Sequence, residues 1–124
     1  MATKFSMTRD INGYNGFGLK PSDTNVSATL ATTTDTTFTV PGSDAIGGCN
    51  YQTKALWLAI FEFTAGNDVW VSINSTAGVP AGSTFAATSS FLNPAGLELQ
   101  EGDVIHCYTA GTTVNVSIRF YSLT

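Results

Sequence analysis

The chain's hydrophobic pattern is organised around the stretch from Ala55 to Asn74. The odd positions Trp57, Ala59, Phe61 and Phe63 are apolar, and beyond Ala65–Asp68 the same parity continues through Val69, Val71 and Ile73. This pattern predicts a β-hairpin with one continuous apolar face. On the first strand the even positions Leu56, Leu58 and Ile60 are apolar as well, until Glu62 restores the alternation. A strand apolar on both faces is covered on both. The second cover must come from the chain's own N-terminal segment, from a neighbouring subunit or from a partner surface. Leu56, Leu58 and Ile60 are the candidate residues for a subunit interface.

The rest of the chain reads as short strands between turn clusters. Val26–Leu30 is a weak strand, and Thr36–Val40, with Thr36, Phe38 and Val40 on one face, is closed by Pro41-Gly42. Residues 43–53 read as a loop. Residues 75–90, rich in Ala, Gly, Ser and Thr, read as a surface excursion with one short irregular strand near Phe85. Leu97–Gln100, Val104–Thr109 and Val114–Tyr121 follow as strands, separated by turns at Glu101-Gly102-Asp103 and at 110–113. In the last strand Val114, Val116, Ile118 and Phe120 point inward, and Asn115, Ser117, Arg119 and Tyr121 outward. No stretch of a dozen residues keeps helical spacing. The expectation is an all-β, two-sheet antiparallel sandwich of seven or eight strands over residues 21–124, with jelly-roll preferred to immunoglobulin topology because the middle and last strands are long.

Residues 1–20 are different. Large apolar groups (Phe5, Met7, Ile11, Tyr14, Phe17, Leu19) are interspersed with Gly13, Gly16 and Gly18, without a periodicity that would let the segment fold on itself. It reads as an extended N-terminal arm, lying across its own domain or docking on another protein and ordering there.

Composition sharpens this picture. The 124 residues suffice for one domain with one core. Charged residues are only 11% of the chain, so Thr, Ser, Asn and Gly carry its solvation. The net charge of −4, with five Lys and Arg in all, argues against nucleic acid as a partner. Residues 1–20 hold Lys4, Arg9 and Lys20 against Asp10, or +2, which leaves −6 for the remainder. The start lacks the apolar core of a secretory signal, and no apolar run is long enough to span a membrane, so a soluble product released in the cytoplasm is expected. Cys49 and Cys107 then read as reduced, largely buried thiols.

Reaction chemistry finds little purchase. His106 is the only histidine, and its neighbour Cys107 points to the opposite face of the same strand. The carboxylates Glu62, Asp68, Glu98, Glu101 and Asp103 are scattered over turns and strand ends, and none is singled out as half of an acid/base pair. Gly16-Phe17-Gly18 lacks the strand and helix of a dinucleotide site. Asn67-Asp68 offers too few oxygens for calcium. The sequons at Asn25, Asn74 and Asn115 mean nothing without secretion. Trp70, Tyr14 or Tyr51, if exposed, could stack on a sugar ring. No catalytic residue, cofactor or metal is expected.

The start Met-Ala-Thr-Lys-Phe-Ser-Met-Thr-Arg-Asp-Ile-Asn-Gly-Tyr-Asn-Gly-Phe-Gly-Leu, the run Trp57-Leu58-Ala59-Ile60-Phe61 with Val69-Trp70-Val71, the Leu92-Asn93-Pro94 step and the Glu101-Gly102-Asp103 turn together resemble small jelly-roll decoration, or cement, proteins of tailed-bacteriophage capsids. The resemblance implies a structural virion protein, made in the host cytoplasm and placed on the outer capsid surface. It implies homotrimers that bridge capsomers and bind the major capsid protein, without membrane or nucleic acid as partner. On that reading Lys4, Phe5, Met7, Arg9, Tyr14 and Phe17 contact the shell, and Leu56, Leu58 and Ile60 form the subunit interface. The alternative is a receptor- or carbohydrate-binding module of a phage fibre or tail, reading host glycans.

Overall fold

The computed structural model describes residues 3–9, 11–12, 15–42, 55–64, 66–80 and 90–123. They contain ten strands and no helix: β1 (Met7–Arg9), β2 (Asn15–Leu19), β3 (Thr24–Leu30), β4 (Thr36–Thr39), β5 (Leu56–Phe63), β6 (Trp70–Ile73), β7 (Phe91–Leu92), β8 (Gly96–Gln100), β9 (Val104–Tyr108) and β10 (Val114–Ser122). Eight of them form two four-stranded antiparallel sheets, ordered β3-β10-β5-β8 and β4-β9-β6-β7. The remaining two, β1 and β2, pair only with each other, as a short antiparallel ribbon with an irregular register.

The core lies between the sheets. From the first sheet Leu30, Trp57, Ala59, Phe61, Leu99, Val114, Val116, Ile118 and Phe120 enter it, and from the second Val71, Ile105 and Cys107, with Val40 and Val69 at strand ends. Trp57 is fully buried, meets Phe120 edge to face at 6.2 Å, and donates its indole N–H to the Pro41 carbonyl at 3.0 Å. The one polar atom of a large apolar side chain is thereby satisfied inside the core.

The expected hairpin between the strands of Ala55–Asn74 does not form. β5 and β6 belong to opposite sheets, and the segment between them crosses the sandwich. The alternation is nevertheless obeyed: Trp57, Ala59 and Phe61 face Val69 and Val71 across the core. Equal parity suits two facing sheets as well as one shared face, because periodicity reports which way side chains point and not which strand lies alongside. The turns at 101–103 and 110–113 likewise carry the chain from sheet to sheet. The other strand assignments hold within a residue or two. Phe85 and residues 43–53 lie outside the described residues, and 75–80 has no strand.

Asparagine and acidic side chains tie the crossings at both ends. Near β8 and β9, Asn74 adopts a positive φ of 61°, accepts the Val104 N–H at 2.8 Å and donates to Asp103 at 3.1 Å. The other Asp103 carboxylate oxygen accepts the Gln100 amide, and the Glu101 carboxylate accepts that of Ala55, each at 2.9 Å. At the opposite end Asn93, with φ of 44°, accepts the Val69 N–H at 2.8 Å. Asparagine tolerates this backbone region while its short side chain bonds nearby main chain.

The start of the chain is joined to its last strand. Lys4 makes a parallel bridge to Ser122, Phe5 donates its amide to the Ser122 carbonyl at 3.0 Å, and Ser122 donates to the Thr3 carbonyl at 2.9 Å. These residues continue the lane beside β10 where β3 stops. The amide and hydroxyl of Thr3 both donate to Asp23, at 3.0 and 3.1 Å. Desolvation raises the Asp23 pKa, but the hydrogen bonds from Thr3 and from Asp23's own backbone, with the positive chain terminus, together hold the carboxyl below its ordinary value.

Candidate interaction surface

On the outer face of the β3-β10-β5-β8 sheet the even positions of β5 fall into cross-strand rows. Ile60 lies between Arg119 and Gly96, Leu58 between Tyr121 and Glu98, and Leu56 beside Gln100. The Leu123 amide donates to the Leu56 carbonyl at 2.9 Å, which extends the last row. All three β5 residues are half-buried within the single chain.

Tyr121 departs from expectation. Its position on β10 faces outward, as the alternation requires, yet it is only 1% exposed. The Phe5 ring meets it edge to face at 6.2 Å, and its hydroxyl donates to the Lys20 carbonyl. Residues from both ends of the 1–20 segment therefore cover it. Phe5 and Leu123, each 39% exposed, continue the apolar surface that Leu56, Leu58 and Ile60 begin. Two groups assigned from sequence to separate surfaces, Phe5 for the shell and the β5 residues for a subunit contact, lie on one.

Of the other residues in the N-terminal set, Lys4 is exposed beside Ser122, and Met7, Arg9 and Phe17 lie on the ribbon strands. Tyr14 is outside the described residues. The described turn residue Ile11 is fully exposed.

The outer face of the second sheet holds His106, in register with Thr37 on one side and Ser72 on the other. Nδ1 of His106 lies 2.7 Å from a carboxylate oxygen of Asp35, and the other Asp35 oxygen accepts the Ala77 amide at 3.1 Å. Asp35 thus joins β9 to the 74–80 segment, which runs over this face. Nothing in the sequence points to this pairing, because the two residues are 71 positions apart with no shared motif. Ser72 is buried beneath the same segment and bonds Ser75. In the next row Trp70 stands between Tyr108 and Leu92. Trp70 and Tyr108 are half-buried, and Leu92 is 49% exposed.

Most of the acidic groups weighed above are engaged structurally. Glu101 and Asp103 bind backbone amides, Asp68 accepts from Asn93 at 3.2 Å, and Glu62 pairs with Arg119. Among the described residues no cluster of three His, Cys, Asp or Glu could hold a metal ion. Cys107 is a free, buried thiol, while Cys49 lies outside the described residues. Burial, and secondarily the negative charge of Asp35, pushes the Cys107 pKa up to about 12. Such a thiol is inert as a nucleophile. No described helix is long and apolar enough to cross a membrane.

Geometry therefore offers two outer sheet faces, one with an apolar strip along β5, flanked by Arg119, Glu98 and Gln100, that reaches the N-terminal segment, and one aromatic beside a histidine–aspartate pair. Comparison of the chain with protein-family models, with curated proteins and with solved structures finds no match in any of the three.

Proposed function

We propose that this protein decorates the outer surface of a tailed-phage head, as a homotrimer that bridges capsomers and binds the major capsid protein. The observation that carries the reading is the single apolar surface made by Leu56, Leu58, Ile60, Leu123 and Phe5 beside the root of the 1–20 segment. An apolar surface of this kind on a small domain marks a contact with another protein. In the trimer Leu56, Leu58 and Ile60 meet the neighbouring subunit, while the 1–20 segment, rooted on the end of β10 at Thr3–Phe5, makes the shell contacts through Lys4, Phe5, Met7, Arg9, Tyr14 and Phe17 where the shell meets that side of the body. Three arms on one rigid body multiply weak contacts through effective concentration.

The strand order supports a jelly roll as the scaffold. The antiparallel pairs β3·β10, β4·β9, β5·β8 and β6·β7 are nested, the first strand with the last and so inward. A long hairpin rolled up so that β10 meets β5 and β9 meets β6 gives this arrangement.

Quantitative mass spectrometry of purified source virions tests the reading. Many copies, in whole-number ratio to the major capsid protein, are expected. Absence from the particle overturns it. A handful of copies favours the second reading, a glycan-binding module of a fibre or tail, for which the adjacent Trp70 and Tyr108 are the specific observation. Stacking on a sugar ring needs an aromatic platform of that kind.

A further inference from the structure

The two sheets have four edge strands, and three are blunted. β7 has two residues, β4 has four, and β8 carries Glu98. The fourth is β3, Thr24-Asn25-Val26-Ser27-Ala28-Thr29-Leu30, seven residues without a charge or a proline. All seven pair with β10 in unbroken register from Phe120↔Thr24 to Val114↔Leu30, so no bulge twists the edge away. Proteins ordinarily protect such an edge with one of these devices. Among the described residues the β3 main chain bonds only β10 and, at Thr24, the Ser22 hydroxyl. The segment at Lys4 occupies the lane beside β10 and stops where β3 begins.

A second observation comes from the space beside that edge. β3 and β4 are the edges of the two sheets on the same side of the sandwich, and between them a cleft opens, lined by Thr24, Asn25, Val26, Phe38, Thr39, Pro41 and Phe120. Val26 and Phe38 are half-buried there, at the margin of the core. Asn25, Ser27 and Thr29, on the other face of β3, are exposed and polar.

We propose that β3 is a strand-addition site that takes an extended segment of a partner protein. Backbone groups along β3 supply the hydrogen bonds, and the cleft receives the partner's alternate apolar side chains while its other side chains face solvent beside Asn25, Ser27 and Thr29. The partner segment is neutral or basic, because residues 21–124 carry −6. That same charge disfavours a second copy, whose β3 would bring two acidic bodies together. The proposal does not depend on the virion reading.

A short synthetic peptide with valine and threonine alternating and a lysine at each end serves as the probe. Hydrogen exchange and fluorescence titration on the full chain read its binding. Saturable binding is expected, with added amide protection confined to residues 24–30. A peptide of the same composition without alternation is expected to bind at least about tenfold more weakly. Val26→Lys places a charge in the cleft and abolishes binding with the thermal melt retained. Should Val26→Lys fail to fold, the exposed Ser27→Lys opposes the peptide's lysines and weakens binding. No saturable binding, protection at Gly96–Gln100 or Phe91–Leu92 instead, or indifference to both substitutions overturns the proposal. Protection of β3 by self-association in the absence of peptide, read by sedimentation, overturns the choice of partner.

Discussion

Cys107 shows how a single position couples the core to pH. Its thiol is buried between the sheets and stays protonated up to about 12, against an ordinary value of 9.0. Above the ordinary value the unfolded chain gives up a proton that the folded chain keeps, so this group lowers stability as pH rises from 9.0 towards about 12. Urea unfolding of the protein and of Cys107→Ala at about pH 8 and about pH 10 checks this: the native protein is expected to lose more stability between the two conditions than the variant does. An equal loss in both would mean that the thiol is not held protonated. The histidine beside it on β9 teaches a different lesson. His106 reads from sequence as an isolated residue, and its Asp35 partner is supplied by the chain reversal that lays β4 along β9. Only the assembled sheet brings the two together.

Strand existence was legible almost throughout, since alternation at Trp57, Ala59 and Phe61 or at Val114, Val116, Ile118 and Phe120 translates directly into burial. Strand partners were not. Val69 and Val71 share the parity of β5 but sit across the core from it, and the residues that decide this are in the crossing rather than in the strands. Asn67 there bonds Thr112 of the β9–β10 crossing, so two crossings at one end of the sandwich are joined. A methyl group added at Gly111 would overlap the Asn67 carboxamide oxygen. Gly111→Ala is expected to cost about 1 kcal/mol, the worth of a lost hydrogen bond. In an Asn67→Ala background the same change is expected to cost markedly less, and thermal melts of the four proteins give the coupling. Equal costs in both backgrounds would locate the penalty elsewhere. The β1–β2 ribbon was missed because its glycines break the alternation, while pairing between two short strands asks little of side-chain pattern.

At the scale of the molecule, the apolar surface of the first sheet was half legible. Leu56, Leu58 and Ile60 announced a covered second face, but that Phe5 and Lys20 cover Tyr121 beside it follows from the path of the N-terminal segment. Deleting residues 1–19 is expected to leave a folded sandwich whose melting temperature falls by several degrees, because Tyr121 loses its cover and Asp23 its Thr3 donors. The shortened protein is expected to lose binding to undecorated heads in a co-sedimentation assay. Retained binding would exclude the arm as the grip on the shell. Above the ordinary carboxylate range the Thr3–Asp23 contact is fully present, and it is lost as pH falls through the depressed Asp23 value.

The position of β10 governs how the sandwich comes into being. Among the described strands it alone touches both β3 and β5, and the Thr3–Phe5 segment also fastens to its end. While the ribosome is still short of residue 114, β5 and β8 can pair with each other, but nothing joins β3 to them. Completion of the sheet therefore waits for the latest-made of its four strands and relies on contacts far apart in sequence, a slow route during which β3 and the free edge of β5 are exposed to other nascent chains.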